Sequence, residues 1–440
     1  MKNKFHIITL GCQMNKSDSE RIAAVLQQMG MDSVSSPQEA DLIILNSCMV
    51  RQSAEHRIYG QVKNFKKLKK QKPNLIIGVT GCMPGQDKDA KLKSKMPGLD
   101  LYFPISELTK LPSMLKQLKA DIGESTELPS RDYLDILPRN QSKFHAFVVV
   151  STGCDQYCSY CVVPYARGRV RHRPVKQILR EIKKAATQGY ISITLLGQIV
   201  NNYQAPDVEN FSAQNPFSND FARLLWEVEQ IPQIQRIFWT APHPVYMNDE
   251  IIRAFAFPKQ VNYLHLPVQS GSNRILKKMN RGYSREDFIK VIEKVKKARP
   301  GIALGTDIII GFPGETEQDF GSTLSLYREV GFDIAYPAMY SPRPHTASAR
   351  AYADDIPGPK KKRRWQEFDK LMREITFEKN KKFLNQKTEV LVEEYKQGIC
   401  WGRSNEMKLV SFASPQDLTG TIQNVIIKAP KTWVLEGELA

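Results

Sequence analysis

No apolar run in this chain approaches the roughly 20 residues that a membrane-spanning helix requires, which argues against a membrane protein. Cysteine is scarce and odd in number, seven in all, which argues against a disulfide framework and for metal or redox chemistry. The N-terminal Met1-Lys-Asn-Lys-Phe-His-Ile-Ile-Thr-Leu10 is too short in apolar residues for an export signal and lacks a small-residue cleavage site, so a cytoplasmic location is expected. Acidic residues are the minority charge, 46 against 63 Lys and Arg, leaving a net charge of +17. A field of that sign steers a polyanion such as nucleic acid to the surface; excess lysine kept for solubility is the bland alternative. Low-complexity tracts are missing, and hydrophobic residues at 41% with charged ones at 25% leave an ordinary globular protein.

A chain of 440 residues has room for about three domains. Over residues 1–125, apolar stretches alternate with helical ones: Phe5–Leu10, Leu42–Leu45 and Leu75–Thr80 read as strands of a parallel α/β sheet. Ser17-Asp18-Ser19-Glu20 reads as a capping box for a helix running to Gly30. Residues 121–140 read as a linker. Over 140–383, six strand candidates at 144–150, 191–196, 236–240, 262–266, 302–310 and 334–340 predict a βα barrel, closed or open, with functional residues after the strands' carboxyl ends. A helix is expected around Trp365–Lys382. From 384 to 440, four short segments (388–394, 407–412, 420–428, 432–435) predict a small OB-like β-barrel.

The strongest local signal is Ser151-Thr-Gly-Cys-Asp-Gln-Tyr-Cys-Ser-Tyr-Cys161. Three thiolates on one short loop, Cys154, Cys158 and Cys161, can cap three irons of a cubane and leave the fourth open to a substrate. Zinc or free thiols are the alternative, but structural zinc wants four ligands and no second pair lies nearby. Cys12, Cys48 and Cys82 each follow a predicted strand, at the edge where open parallel sheets bind ligands. Any one of them is readily a small core residue; three in equivalent places favour a second metal site.

Arg167, Arg169, Arg171 and Arg173 alternate after the cysteine loop. If that stretch is extended, all four share one face and suit phosphates. The lysines from Lys63 to Lys72 read as the solvated face of a helix, and the Lys360–Arg364 run fits either role. Gly197-Gln198 and Gly311–Glu315 fall where the chain turns or approaches a ligand. His265 has a mild claim as a polar pocket residue, and Cys400 reads as structural.

Together with Gly11-Cys-Gln-Met-Asn15, Leu195-Leu-Gly-Gln198, His265-Leu-Pro-Val-Gln-Ser-Gly-Ser272, Ile309–Thr316 and Tyr340-Ser-Pro-Arg-Pro344, the Cys154 motif resembles the radical S-adenosylmethionine methylthiotransferases. The nearest group is the bacterial tRNA-2-methylthio-N6-dimethylallyladenosine synthases. The resemblance implies a radical S-adenosylmethionine partial (βα)6 barrel, a TRAM-like tail with Gly402-Arg403, and two 4Fe-4S clusters. One sits on Cys154, Cys158 and Cys161, the auxiliary one on Cys12, Cys48 and Cys82. S-adenosylmethionine is implied as cofactor, with Gly197, Gln198, His265, Gln269, Asp307 and Arg343 as the candidate contacts. The implied reaction adds a methylthio group to C2 of N6-isopentenyladenosine at tRNA position 37 by a 5'-deoxyadenosyl radical. It also implies a flavodoxin or ferredoxin system as electron donor, a sulfur source and a monomer. Ala241-Pro242 before His243, in place of serine, and His345 in place of glycine depart from the pattern. The tail 384–440 carries six Lys and Arg against seven Asp and Glu, so bulk charge does not draw RNA there. The backbone contact is therefore expected from Arg167, Arg169, Arg171 and Arg173. The rivals are methylthiolation of threonylcarbamoyladenosine in tRNA or of a ribosomal-protein aspartate, and a non-enzymatic, metal-stapled RNA-binding module.

Overall fold

The structure is a computed structural model describing residues 2–49, 52–124, 128 and 132–440. Of the segment 121–140 expected as a linker, residues 125–127 and 129–131 lie outside the described residues, while Tyr133, Leu134 and Ile136 are buried in the core of the N-terminal sheet. Strands β1 (Lys4–Leu10), β2 (Asp32–Ser33), β3 (Leu42–Ser47), β4 (Ile76–Gly81) and β5 (Leu101–Tyr102) form a parallel sheet of order β2-β1-β3-β4-β5. All six residues of β3 and of β4 are buried, as strands covered by helices on both faces must be. The covering helices are α1 (Gln13–Gln28), α2 (Gln52–Gln71), the short α3 (Cys82–Gln86) and α4 (Leu111–Leu118).

Helix α1 corrects one expectation. It begins four residues before the proposed box: Cys12 is its N-cap, and Asn15 reaches back to the Cys12 N–H at 3.2 Å. Ser17, Asp18, Ser19 and Glu20 are buried inside the helix, Asp18 against Arg167 and Glu20 against the Gln141 N–H of the central part, and Ser19 against Thr9 and Asn46 of its own sheet. Arg21 lies there beside Glu181.

The central part opens with β6 (His145–Val149), β7 (Ser151–Thr152), α5 (Val163–Arg167), β8 (Arg171–His172) and α6 (Val175–Thr187). Helix α6 buries Val175, Ile178, Leu179, Ile182, Ala185 and Ala186, one stripe of a 3.6-residue period. After it come β9 (Ser192–Leu196), α7 (Asp220–Glu229), β10 (Arg236–Trp239), α8 (Asp249–Phe255), β11 (Tyr263–His265), α9 (Asn273–Lys278), α10 (Arg285–Ala298), β12 (Ala303–Ile310), α11 (Glu317–Val330) and β13 (Ile334–Met339). Two parallel three-stranded sheets, β6-β9-β10 and β11-β12-β13, are joined by a bridge between Ile237 and Gln260. The result is a six-stranded parallel array, the open form of the expected barrel.

Helices α12 (Ala347–Ala351) and α13 (Gly358–Lys381) follow, the latter packed on β13 and starting seven residues earlier than expected. The Lys360–Arg364 run therefore lies in a packed helix: Arg364 is fully buried on Glu315, and Lys361 reaches the Tyr340 carbonyl at 3.0 Å. The tail closes into a barrel of β14 (Lys387–Lys396), β15 (Ile399–Ser404), β16 (Leu409–Ala413), β17 (Ile422–Pro430) and β18 (Leu435–Leu439), order β14-β15-β16-β18-β17. Strand β15 is a fifth segment beyond the four expected; Gly402 interrupts its pattern, and a Cβ there would lie 2.2 Å from the Leu391 carbonyl oxygen. Cys400 belongs to this barrel's apolar core. Arg236 ties the barrel down by donating to the carbonyls of Arg403 and Ser404, and Lys408 pairs with Asp333 at 2.9 Å.

Candidate metal centres and barrel cavity

The first thiol loop runs from β7 to β8, which pair antiparallel and hold its two ends together. Gly153 opens it at φ +77°, where a Cβ would collide with the Arg169 carbonyl oxygen. The Cys154 N–H donates to the Gly168 carbonyl at 3.1 Å, and the end of α9 clamps the middle. Ser159 donates its N–H to the Met279 carbonyl at 2.9 Å and its hydroxyl to the Lys278 carbonyl at 2.8 Å. Asn280 donates to the carbonyls of Gln156 and Tyr157. A loop fixed on both sides presents its thiols without having to order them first.

Two donors point at sulfur here. The Gln156 N–H reaches Cys154 Sγ at 3.4 Å, and Arg281 Nη1 reaches Cys158 Sγ at 3.3 Å. Arg281 is buried and is steadied by the Tyr283 hydroxyl at 3.0 Å and the Pro267 carbonyl at 3.0 Å. Burial and the neighbouring Cys158 push the Cys161 thiol up to about 12, and burial also raises Cys154. Such thiols are poor free nucleophiles but turn into thiolates outright on a metal. Three thiols with N–H donors aimed at two of them fit a cubane, whose properties are set by hydrogen bonds to sulfur. Among the described residues no three candidate ligands lie close enough to hold a single ion, as zinc would need. Nothing in the sequence singles out Arg281, a lone arginine before a glycine.

The second set is placed by strand register. Leu10 pairs with Ser47 and Ser47 with Gly81, so Cys48 and Cys82 lie one residue past this row and Cys12 two past it. Cys12 is exposed, while Cys48 and Cys82 are buried. Beneath them Asn15 Nδ2 donates to Asn46 Oδ1 at 3.0 Å and to the Ser47 carbonyl at 3.1 Å, and Asn46 returns a bond to the Asn15 carbonyl at 2.8 Å. The sequence signal for this pair is Asn46, a polar residue ending the run Leu42-Ile-Ile-Leu45. The two cysteine-bearing segments abut: at Gly85 of α3 a Cβ would lie 2.0 Å from the carbonyl oxygen of Ala166 in α5.

The arginine series does not share one face, and this expectation is corrected. Helix α5 ends at Arg167, Gly168 turns at φ +77°, and only Arg171 and His172 are strand. Arg167 is 3% exposed on Asp18 at 2.6 Å, and Arg173 is 5% exposed on Glu181 at 2.8 Å. Arg169 and Arg171 are exposed, Arg171 beside Asp132.

The residues expected to contact S-adenosylmethionine fall into three places. Gly197 stands against the Ser151 hydroxyl beside the first thiol loop, and the buried Gln198 Oε1 has no partner, as a group waiting for a ligand would. His265 Nε2 bonds Asp307 Oδ2 at 3.0 Å, and the Gln269 N–H donates to the Asp307 carbonyl at 2.9 Å with Gln269 at φ +72°. His265 and Asp307 line a cavity of about 730 Å³ inside the array, shared with Lys16 and Glu20 of α1, Tyr336 and Glu393 of β14. Burial pushes the Glu20 carboxyl up to about 7. Arg343 lies apart from both groups. It pairs with Glu55 at 3.2 Å and lies within electrostatic reach of Cys48, which places it at the second triad. The departures named above have a backbone counterpart, for Ala241 and His345 both adopt positive φ, +58° and +67°.

Comparison with known proteins agrees with this layout. A family model described as uncharacterized protein family UPF0004 matches residues 4–104, and that of the Radical SAM superfamily matches residues 148–327. A solved radical S-adenosylmethionine methyltransferase, TsrM, from Kitasatospora setae aligns with a TM-score of 0.55 over 79% of this chain and 75% of its own, at 12% identity, a likeness of fold alone. A tRNA-2-methylthio-N(6)-dimethylallyladenosine synthase of Bacillus pumilus is 40% identical over 99% of this chain and 86% of its own length. Those of Caldicellulosiruptor saccharolyticus (41%, 100% and 93%) and Dictyoglomus thermophilum (39%, 99% and 98%) are alike end to end. The chain belongs to the family of the tRNA-2-methylthio-N(6)-dimethylallyladenosine synthases.

Proposed function

We propose that this protein adds a methylthio group to C2 of N6-isopentenyladenosine at position 37 of tRNA. The observation that carries the reading is the register row that brings Cys12, Cys48 and Cys82 to one sheet edge, against the segment that follows Cys154, Cys158 and Cys161. When bound, the two 4Fe-4S clusters and S-adenosylmethionine supply the electron, the hydrogen-abstracting radical, the sulfur and the methyl group. The chain's own part is placement. Arg281 and the Gln156 N–H bond the first thiols, Asn15 and Asn46 brace the second edge, and Gln198 offers a buried acceptor. His265, Gln269 and Asp307 hold one wall of the cavity together by hydrogen bonds. We take the chain as three domains, 1–125, 140–383 and 384–440, acting as a cytoplasmic monomer with a flavodoxin- or ferredoxin-type donor and a separate sulfur source. Among the described residues no helix is long and apolar enough to cross a membrane.

The test is mass spectrometry of tRNA nucleosides from a strain lacking the protein. Isopentenyladenosine is expected to persist without its 2-methylthio group; loss confined to the threonylcarbamoyl nucleoside would overturn the reading.

Contact with tRNA falls to exposed cations, and of the arginine series only Arg169 and Arg171 qualify. Replacing both with alanine is expected to weaken tRNA binding and to flatten the dependence of log K on log salt by about 1.5–2, the share of two phosphate contacts. An unchanged slope in a filter-binding salt series would remove them from the interface.

A further inference from the structure

We propose that Arg167 is a positioning residue for the second triad, fixing Cys82 from the side of the first loop and setting the reduction potential of the cluster held there. The inference rests on the auxiliary-cluster reading of Cys12, Cys48 and Cys82.

Three observations carry it. Arg167 Nε–H donates to Cys82 Sγ at 3.4 Å while Nη2–H donates to Asp18 Oδ2 at 2.6 Å. Both side chains are buried, at 3% and 0% exposure, and Arg167 Nη1 and Asp18 Oδ1 are buried without a hydrogen-bond partner. The guanidinium also acts electrostatically on Cys12, so its charge reaches two of the three thiols. The placement is forced by the chain: Arg167 follows Ala166, whose carbonyl oxygen touches Gly85, three residues after Cys82. Arg167 in turn lies six residues after Cys161. One side chain thus links the loop of the first triad to a ligand of the second.

A guanidinium taken out of water is costly, and a single carboxylate compensates it only in part. A thiolate that carries cluster charge is a better second partner than a neutral thiol. In such a low-dielectric junction a fixed cation favours the more negative, reduced form, while Asp18 opposes it. The two groups therefore shift the potential in opposite directions.

The experiment uses the full chain with Cys154, Cys158 and Cys161 all replaced by alanine, reconstituted with iron and sulfide so that only the second triad is loaded. The midpoint is read by paramagnetic resonance during a dithionite titration. Arg167→Gln is expected to lower the reduction equilibrium constant about tenfold, 59 mV for one electron, and Arg167→Lys to restore most of that. Asp18→Asn is expected to move the midpoint the other way, and it carries the test alone if Arg167→Gln fails to fold. A midpoint unchanged in both variants, or displaced in the same direction by both, overturns the proposal, since a purely structural role has no sign. If the parent with Arg167 intact takes up no iron and sulfide, the auxiliary-cluster reading itself fails and this proposal falls with it.

Discussion

Replacing Cys158 with alanine is expected to abolish reductive cleavage of S-adenosylmethionine, whereas replacing Cys82 with alanine is expected to retain cleavage and lose methylthio transfer. The two thiols differ in what surrounds them. Cys158 stands on a loop whose backbone is pinned independently of any metal, by the Ser159 N–H on the Met279 carbonyl at 2.9 Å and by Asn280 on the Gln156 and Tyr157 carbonyls. Its loss therefore removes a ligand and leaves the loop in place. Outer partners of a metal site typically cost about 10–100-fold when removed. Arg281→Gln is expected in that range, because its guanidinium touches Cys158 Sγ without ligating; the ligand itself should cost more. Cys82 opens α3 at the edge of the N-terminal sheet, and its removal takes from the Cys154 loop only the Arg167 contact at 3.4 Å, while Asp18 still holds Arg167 at 2.6 Å. The assay is 5'-deoxyadenosine formation beside 2-methylthio nucleoside yield, with iron counted per chain. Deoxyadenosine from the Cys158 variant would show that this triad does not start the chemistry.

What could be read beforehand was whatever depends on local pattern. The strand run Leu42–Leu45 is apolar over its length and Phe5–Leu10 over most of it, and a parallel sheet has one carboxyl edge, so three cysteines following strands had to meet there. The arginines failed because burial is decided by packing partners outside the run. Arg167 is claimed by Asp18, 149 residues away, and Arg173 by Glu181, so charge at period two says nothing of which side chain reaches water. The start of α1 failed for a related reason: cysteine is a rare N-cap, and Ser17–Glu20 imitate a capping box while lying buried within the helix. The place of Arg343 beside the second triad likewise depends on Glu55 of α2, which pattern around Tyr340–Pro344 does not announce. Contacts between distant segments, rather than propensities, decided these side chains.

Replacing Arg364 with methionine is expected to destabilise the apo protein by about 3–5 kcal/mol at pH 8, the range for breaking a buried ion pair from one side. Arg364 is fully buried, with Nη1 on Glu315 Oε2 at 2.7 Å and Nη2 on Glu317 at 3.0 Å. Glu315 also accepts the Gly311 N–H at 2.9 Å, so the pair holds the turn that follows β12. Burial already pushes the Glu315 carboxyl up to about 7 with Arg364 beside it, and without the cation it must climb further. A carboxyl whose folded pKa exceeds its unfolded value binds its proton more tightly in the folded state, so its stability contribution is whole below the unfolded pKa and is lost as pH rises through the folded one. The deficit of the Arg364 variant should therefore shrink between pH 8 and pH 5, as Glu315 takes up its proton. Glu315→Gln added to that variant removes the stranded charge, and it should recover stability at pH 8 and little at pH 5. Denaturant unfolding of the parent, the Arg364 variant and the double variant at both pH values provides the comparison. A deficit equal at the two pH values would mean that Glu315 is not left as a buried anion, and that lost packing of the Arg364 stem around Phe320 accounts for the cost instead.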